Sequence, residues 1–108
     1  MTIDDICEKY KITDYIINPD KTIDVDGDVI LSFSYLSKFP LEFNKVSGNF
    51  LCNNNLLTTL KGCPRWIGGN FRSSFNDLTS LEFSPDYIGG DFDCRFNNIS
   101  DNYCDNDF

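Results

Sequence analysis

Apolar and polar positions recur along this chain at a fixed interval. The run Val25-Asp-Gly-Asp-Val29 returns 21 residues later as Val46-Ser-Gly-Asn-Phe50. It returns again as Ile67-Gly-Gly-Asn-Phe71 and Ile88-Gly-Gly-Asp-Phe92, with no insertion. A constant period in this range is the signature of stacked structural repeats. Each unit is numbered here from its Val or Ile as column 1. Column 3 is then Gly27, Gly48, Gly69 and Gly90, and column 5 is Val29, Phe50, Phe71 and Phe92. Column 7 is Leu31, Cys52, Ser73 and Cys94, and column 10 is Ser34, Asn55, Asn76 and Asn97. Column 12 is Leu36, Leu57, Leu78 and Ile99, and column 15 is Phe39, Leu60, Leu81 and Asn102.

Alternation at columns 5 and 7 predicts a strand with one face turned inward. Glycine at column 3 suits a turn where a side chain would clash or φ is positive. The column 10 carboxamide can donate to and accept from the backbone of adjacent coils, which predicts an Asn ladder. Columns 12 and 15 fill the coil interior. Pro64 and Pro85, both at column 19, predict an extended or 3₁₀ outer side rather than an α-helical one. Successive strands then stack in parallel, about 4.8 Å apart.

The units fall at 25–45, 46–66 and 67–87, with a partial fourth and an acidic tail at 88–108. About three repeats are needed before a solenoid is stable, so the ends matter. Residues 1–24 predict an N-terminal cap. Thr2-Ile-Asp-Asp5 reads as a capping box, Ile3, Ile6, Cys7 and Tyr10 share one helical face, and Tyr15–Ile17, Asn18–Lys21 and Thr22–Val25 read as strand, turn and strand. The C-terminal end shows no comparable device. The expectation is one domain over 1–108, monomeric or weakly dimeric through an uncapped last coil.

Columns 5 to 12 spell apolar-x-apolar-x-x-Asn-x-Leu, which resembles the core of the leucine-rich repeat over about residues 25–101. Phe50-x-Cys52-x-x-Asn55-x-Leu57 and Phe92-x-Cys94-x-x-Asn97-x-Ile99 fit well; Phe71-x-Ser73-x-x-Asn76-x-Leu78 departs only at column 7. The resemblance implies a right-handed coil with one parallel strand per 21-residue repeat. More narrowly, the run Gly-Gly-Asn/Asp-Phe-x-Cys-x-x-Asn-x-Leu is similar to short repeats of large bacteriophages and some bacteria. That likeness implies a phage-encoded protein that binds a host protein and blocks or redirects it, with a host defence nuclease or a CRISPR effector as candidate partner.

Composition narrows the chemistry. Nine basic and 17 acidic residues give a net charge of −8. The charge is uneven: residues 1–45 carry 5 basic and 9 acidic groups, 46–87 carry 3 and 3, and 88–108 carry 1 and 5. Binding to phosphate backbones needs clustered Lys and Arg, so direct nucleic-acid or anionic-membrane contact is not expected. The chain lacks His, which excludes Ser-His-Asp and Cys-His catalysis and His-ligated metals. Five Cys with no C-x-x-C pair argue for reduced, buried thiols. Cys52 and Cys94 stand two coils apart, beyond disulfide reach. Cys63 and Cys104 lie outside the ladder as candidate reactive thiols. Neither the acidic first residues nor any apolar run suggests a signal or a membrane span, so the expectation is a cytoplasmic protein, in the host cytoplasm if viral. No cofactor, metal or enzymatic activity is expected.

With columns 5 and 7 inward, columns 4, 6 and 8 point outward. They are Asp28, Asn49, Asn70 and Asp91; Ile30, Leu51, Arg72 and Asp93; and Ser32, Asn53, Ser74 and Arg95. A constant core beneath a varied face is what a binding scaffold shows, and also what drift on a solvated face leaves. Column 9 adds Phe33, Phe75 and Phe96, with Asn54 among them; these rings form either a structural stack or interface anchors. The Asp/Asn column 4 lacks the pattern of a calcium loop. Trp66, with Lys45 and Tyr87 as column-mates, reads as convex-side packing. The expected function is a non-enzymatic protein-binding module using this face and rim. The alternative is an acidic nucleic-acid mimic occupying a basic groove.

Overall fold

The computed structural model describes residues 1–99; Asn102, Cys104 and the acidic tail lie outside them. It is a β-solenoid of about three turns with one short helix. Its elements are α1 (Ile3–Lys9), β1 (Tyr15–Ile17), β2 (Ile23–Val25), β3 (Val29–Ile30), β4 (Phe43–Val46), β5 (Phe50–Leu51), β6 (Trp66–Ile67), β7 (Phe71–Arg72), β8 (Tyr87–Ile88) and β9 (Phe92–Asp93).

Helix α1 starts with the expected capping box. The Asp5 N–H donates to Thr2 Oγ1 at 3.1 Å, and the Thr2 N–H donates to Asp5 Oδ2 at 3.0 Å. Cys7 is buried, with Ile3, Ile6 and Tyr10 against the same core. β1 and β2 pair antiparallel, Tyr15 opposite Val25 and Ile17 opposite Ile23. Their turn closes by the Lys21 N–H to the Asn18 carbonyl at 2.9 Å.

From β2 onward all pairing is parallel, in two sheets: β1-β2-β4-β6-β8 and β3-β5-β7-β9. This corrects the expectation of one strand per repeat, because each coil contributes two short strands. The cause lies at columns 2 to 4. The Ser47 N–H donates to the Val25 carbonyl (3.0 Å), the Gly48 N–H to the Gly27 carbonyl (2.9 Å), and the Asn49 N–H to Asp28 Oδ1 (2.8 Å). Three successive N–H groups thus point back to the preceding coil. A pleated strand cannot do this, since its N–H groups alternate sides. Beyond the bend the direction reverses: the Phe50 and Cys52 N–H groups donate forward, to Asn70 and Arg72.

Glycine at column 3 is required by close approach. A Cβ on Gly69 would lie 2.4 Å from Asn49 Oδ1 and 2.9 Å from the Gly48 carbonyl oxygen. Only the first of the four, Gly27, has a positive φ, at 134°.

The interior is built from the expected columns. Val29, Phe50 and Phe71 are fully buried at column 5, and Leu31, Cys52, Ser73 and Cys94 at column 7. The inner rings stack along the axis, with Phe71 and Phe92 centroids 4.9 Å apart and 4° from parallel. The Asn ladder is present. Asn76 Oδ1 accepts the Leu57 N–H at 3.0 Å, and its Nδ2 donates to the Cys52 and Ser73 carbonyls at 3.0 and 3.1 Å. Asn55 and Asn97 repeat this one coil to either side. The outer sides of the coils are non-helical, α1 being the only helix among the described residues. None of their helices is long and apolar enough to cross a membrane.

Candidate interaction surface

The outward columns of the second sheet differ in what they can offer a partner. Column 4 is engaged inside the fold. Asp28, Asn49 and Asn70 each accept, through Oδ1, the N–H of the same column in the next coil, every bond 2.8 Å long. This second ladder explains why column 4 is always Asp or Asn. The last of the column, Asp91, is exposed.

Column 6 faces outward, with Ile30 and Arg72 exposed and Leu51 and Asp93 half-buried. Column 8 lies lower. Ser74 is buried, while Ser32 and Asn53 are half-buried and bonded to each other, Ser32 Oγ donating to Asn53 Oδ1 at 2.8 Å. Arg95 Nε lies 3.0 Å from Asp93 Oδ1. The Arg95 hydrogen bonds hold the Asp93 carboxyl below its usual range. Among the described residues the outward apolar part of this face is Ile30 with Leu51, and Arg72 is its exposed cation, close enough to Asp93 to help hold that carboxyl ionised.

Beyond the sheet the chain turns sharply at column 9. Phe33, Asn54, Phe75 and Phe96 all adopt the left-handed region, at φ 57°, 59°, 56° and 59°. Asn tolerates this conformation; for Phe it is uncommon. The local strain has a consequence, because it turns three phenyl rings out to solvent. Phe33 is 72% exposed, while Phe75 and Phe96 stack at 4.4 Å and 15°. The structural stack therefore comprises Phe75 and Phe96, with Phe33 two coils before Phe75.

Column 11 joins the rim. Tyr35 is 87% exposed, also at positive φ (56°), and Leu56 is exposed beside it. With Phe33, Asn54, Asn55 and Phe75 they line a hollow of about 300 Å³. Tyr35 and Leu56 were missed in the sequence because their column continues as Asp77 and Asn98, so it carries no common chemistry. The available signal was their place one residue past the buried column 10.

The first sheet carries a different ladder on its outer side. Lys45 Nζ lies 4.8 Å from the Trp66 ring centre, and Trp66 stacks on Tyr87 at 5.3 Å and 17°. At the N-terminal end of this sheet a hollow of about 550 Å³ is lined by Asp14, Tyr15, Ile16, Asp24, Val25, Asp26, Lys45 and Ser47.

The cysteines do little at the surface. Cys7, Cys52 and Cys63 are free and buried, whereas Cys94, also buried, is disulfide-bonded, which departs from the expectation of reduced thiols throughout. Burial pushes the Cys63 thiol up to about 11 despite the adjacent Arg65. Its Sγ donates to the Phe83 carbonyl at 3.0 Å. Among the described residues no group of three or more His, Cys, Asp or Glu side chains could hold a metal. Comparison with protein-family models, with curated proteins and with solved structures finds no match.

Proposed function

We propose that this β-solenoid is a non-enzymatic, leucine-rich-repeat-like module that binds a protein through the outer face of the β3-β5-β7-β9 sheet and its aromatic rim. The observation that carries the reading is the concentration of exposed apolar groups along one edge: Ile30, Phe33, Tyr35, Leu56, Phe75 and Phe96. Water-exposed aromatics grouped beside a rigid sheet are the residues that supply binding energy in interfaces. The N-terminal helix and hairpin act in this reading as the cap of the first coil. The likeness to phage repeats adds a host protein as partner and inhibition or redirection as outcome, with a defence nuclease or CRISPR effector as the candidate target.

The test compares wild type with Leu51→Asp and Arg72→Glu, both on the outer face, against host lysate. Circular dichroism of each variant should match wild type, and partner capture should be lost. Retention by both variants would place the contact elsewhere. A salt series separates this reading from nucleic-acid mimicry, since a charge-driven contact weakens steeply between low and physiological salt and an apolar one does not.

A further inference from the structure

We propose that the interval over Asn54 is a receptor for one aromatic side chain of a protein partner. The proposal rests on the protein-binding reading above and names what the rim would hold.

Column 9 repeats one backbone conformation in all four coils, so each coil sends its side chain out in the same direction. Where two successive coils carry Phe, the rings stack, as Phe75 and Phe96 do at 4.4 Å and 15°. Phe33 and Phe75 are two coils apart, about 9.6 Å by the usual strand spacing. That is twice a ring-stacking distance, and the position between them holds Asn54 in place of a ring. The hollow of about 300 Å³ lies at this interval, with Phe33 and Phe75 among its walls and Tyr35 and Leu56 beside them. Asn54 Oδ1 accepts from Asn53 Nδ2 at 2.7 Å, which ties its carboxamide to the strand side. A planar ring entering here would meet aromatic groups from two sides, a contact that aliphatic groups match less well.

The coil that carries Asn54 has no Asp, Glu, Lys or Arg from Val46 to Leu60, so the interval selects the ring itself rather than a charge beside it.

The experiment uses acetyl-Lys-Trp-Lys-amide as probe, titrated into the full chain with ¹³C-labelled Phe rings. Acetyl-Lys-Leu-Lys-amide serves as the comparison. The Trp peptide should shift the Phe33 and Phe75 ring resonances, and the Leu peptide should bind several-fold more weakly. Asn54→Phe should abolish uptake while leaving the fold intact, because the same backbone accepts Phe at 33, 75 and 96. Equal binding of the Leu peptide, equal binding to Asn54→Phe, or unmoved Phe33 and Phe75 signals would each overturn the proposal. Concentration-dependent shifts without peptide, removed by Phe75→Ala, would assign the interval to a second copy and overturn it too. If Leu51→Asp abolishes partner capture and Asn54→Phe does not, the sheet reading stands and the ring receptor alone fails. If the Trp peptide binds while Leu51→Asp and Arg72→Glu leave partner capture intact, the sheet reading is the one that fails.

Discussion

Replacing Asn76 by Ala removes the middle rung of the ladder that closes each coil. Asn76 is buried, and it makes three principal bonds: Oδ1 to the Leu57 N–H, and Nδ2 to the Cys52 and Ser73 carbonyls. The losses are unequal. The Cys52 carbonyl retains Asn55 Nδ2 at 3.1 Å, and the Ser73 carbonyl retains Asn97 Nδ2 at 3.0 Å. The Leu57 N–H, on a fully buried residue, is left without its acceptor. An orphaned buried donor costs about 1–3 kcal/mol, and each lost bond adds about 0.5–1.5 kcal/mol net. The expected destabilisation is about 2–4 kcal/mol, a large share of the stability of a small domain. Urea unfolding followed by circular dichroism measures it, with Asn98→Ala, at an exposed position, as a control that should change by less than about 0.5 kcal/mol. Hydrogen exchange supplies the local readout, since the Leu57 amide should lose protection before its neighbours.

Asn76→Asp sharpens the same test. It keeps the acceptor but turns a carboxylate oxygen toward two carbonyls in a buried site, so the native state would hold the proton that the unfolded chain releases. The native state then binds more protons above about pH 4, and stability should fall as pH rises, by up to about 1.4 kcal/mol per unit. If Asn76→Ala lies within about 0.5 kcal/mol of wild type, or the Leu57 amide stays protected, the ladder is not what closes the coil and the accounting above is wrong.

Two further outcomes are expected. Gly69→Ala should cost more than about 2 kcal/mol and lower the melting temperature sharply, because its Cβ would strike Asn49 Oδ1 and the Gly48 carbonyl; a melting point near wild type would refute the close-approach argument. Cys63, with its thiol raised by burial to about 11 from an ordinary 9.0, keeps its proton in the folded state after the unfolded chain has lost it. Stability should therefore decline between about pH 9 and 11, and alkylation of the folded chain should stay slow at neutral pH. Rapid labelling at pH 7 without unfolding would contradict the buried, protonated thiol.

Much of this molecule is written in its one-dimensional pattern. The 21-residue step, the inward columns 5, 7, 12 and 15, the Asn ladder and the helix-hairpin order of the first 25 residues are all read from spacing and residue type. They are legible because burial and capping depend on neighbours a few residues away or on the identical position one period on. The division of each coil into two strands is not legible. Columns 1, 5 and 7 are inward with the parity of a single strand and column 3 is Gly, which has no side chain to mark the bend; the direction of the N–H groups of Ser47, Gly48 and Asn49 changes there, and side-chain pattern carries no record of that direction.

The same holds for the surface. Asp28, Asn49 and Asn70 look like free polar groups until the next coil's backbone is seen against them. Phe33 and Phe75 become two walls of one hollow only when the coils are stacked. The chain determines which residues repeat. Which repeated residues are spent on holding coils together, and which remain free for a partner, is decided by contacts between coils that lie 21 residues apart in sequence and one strand spacing apart in space.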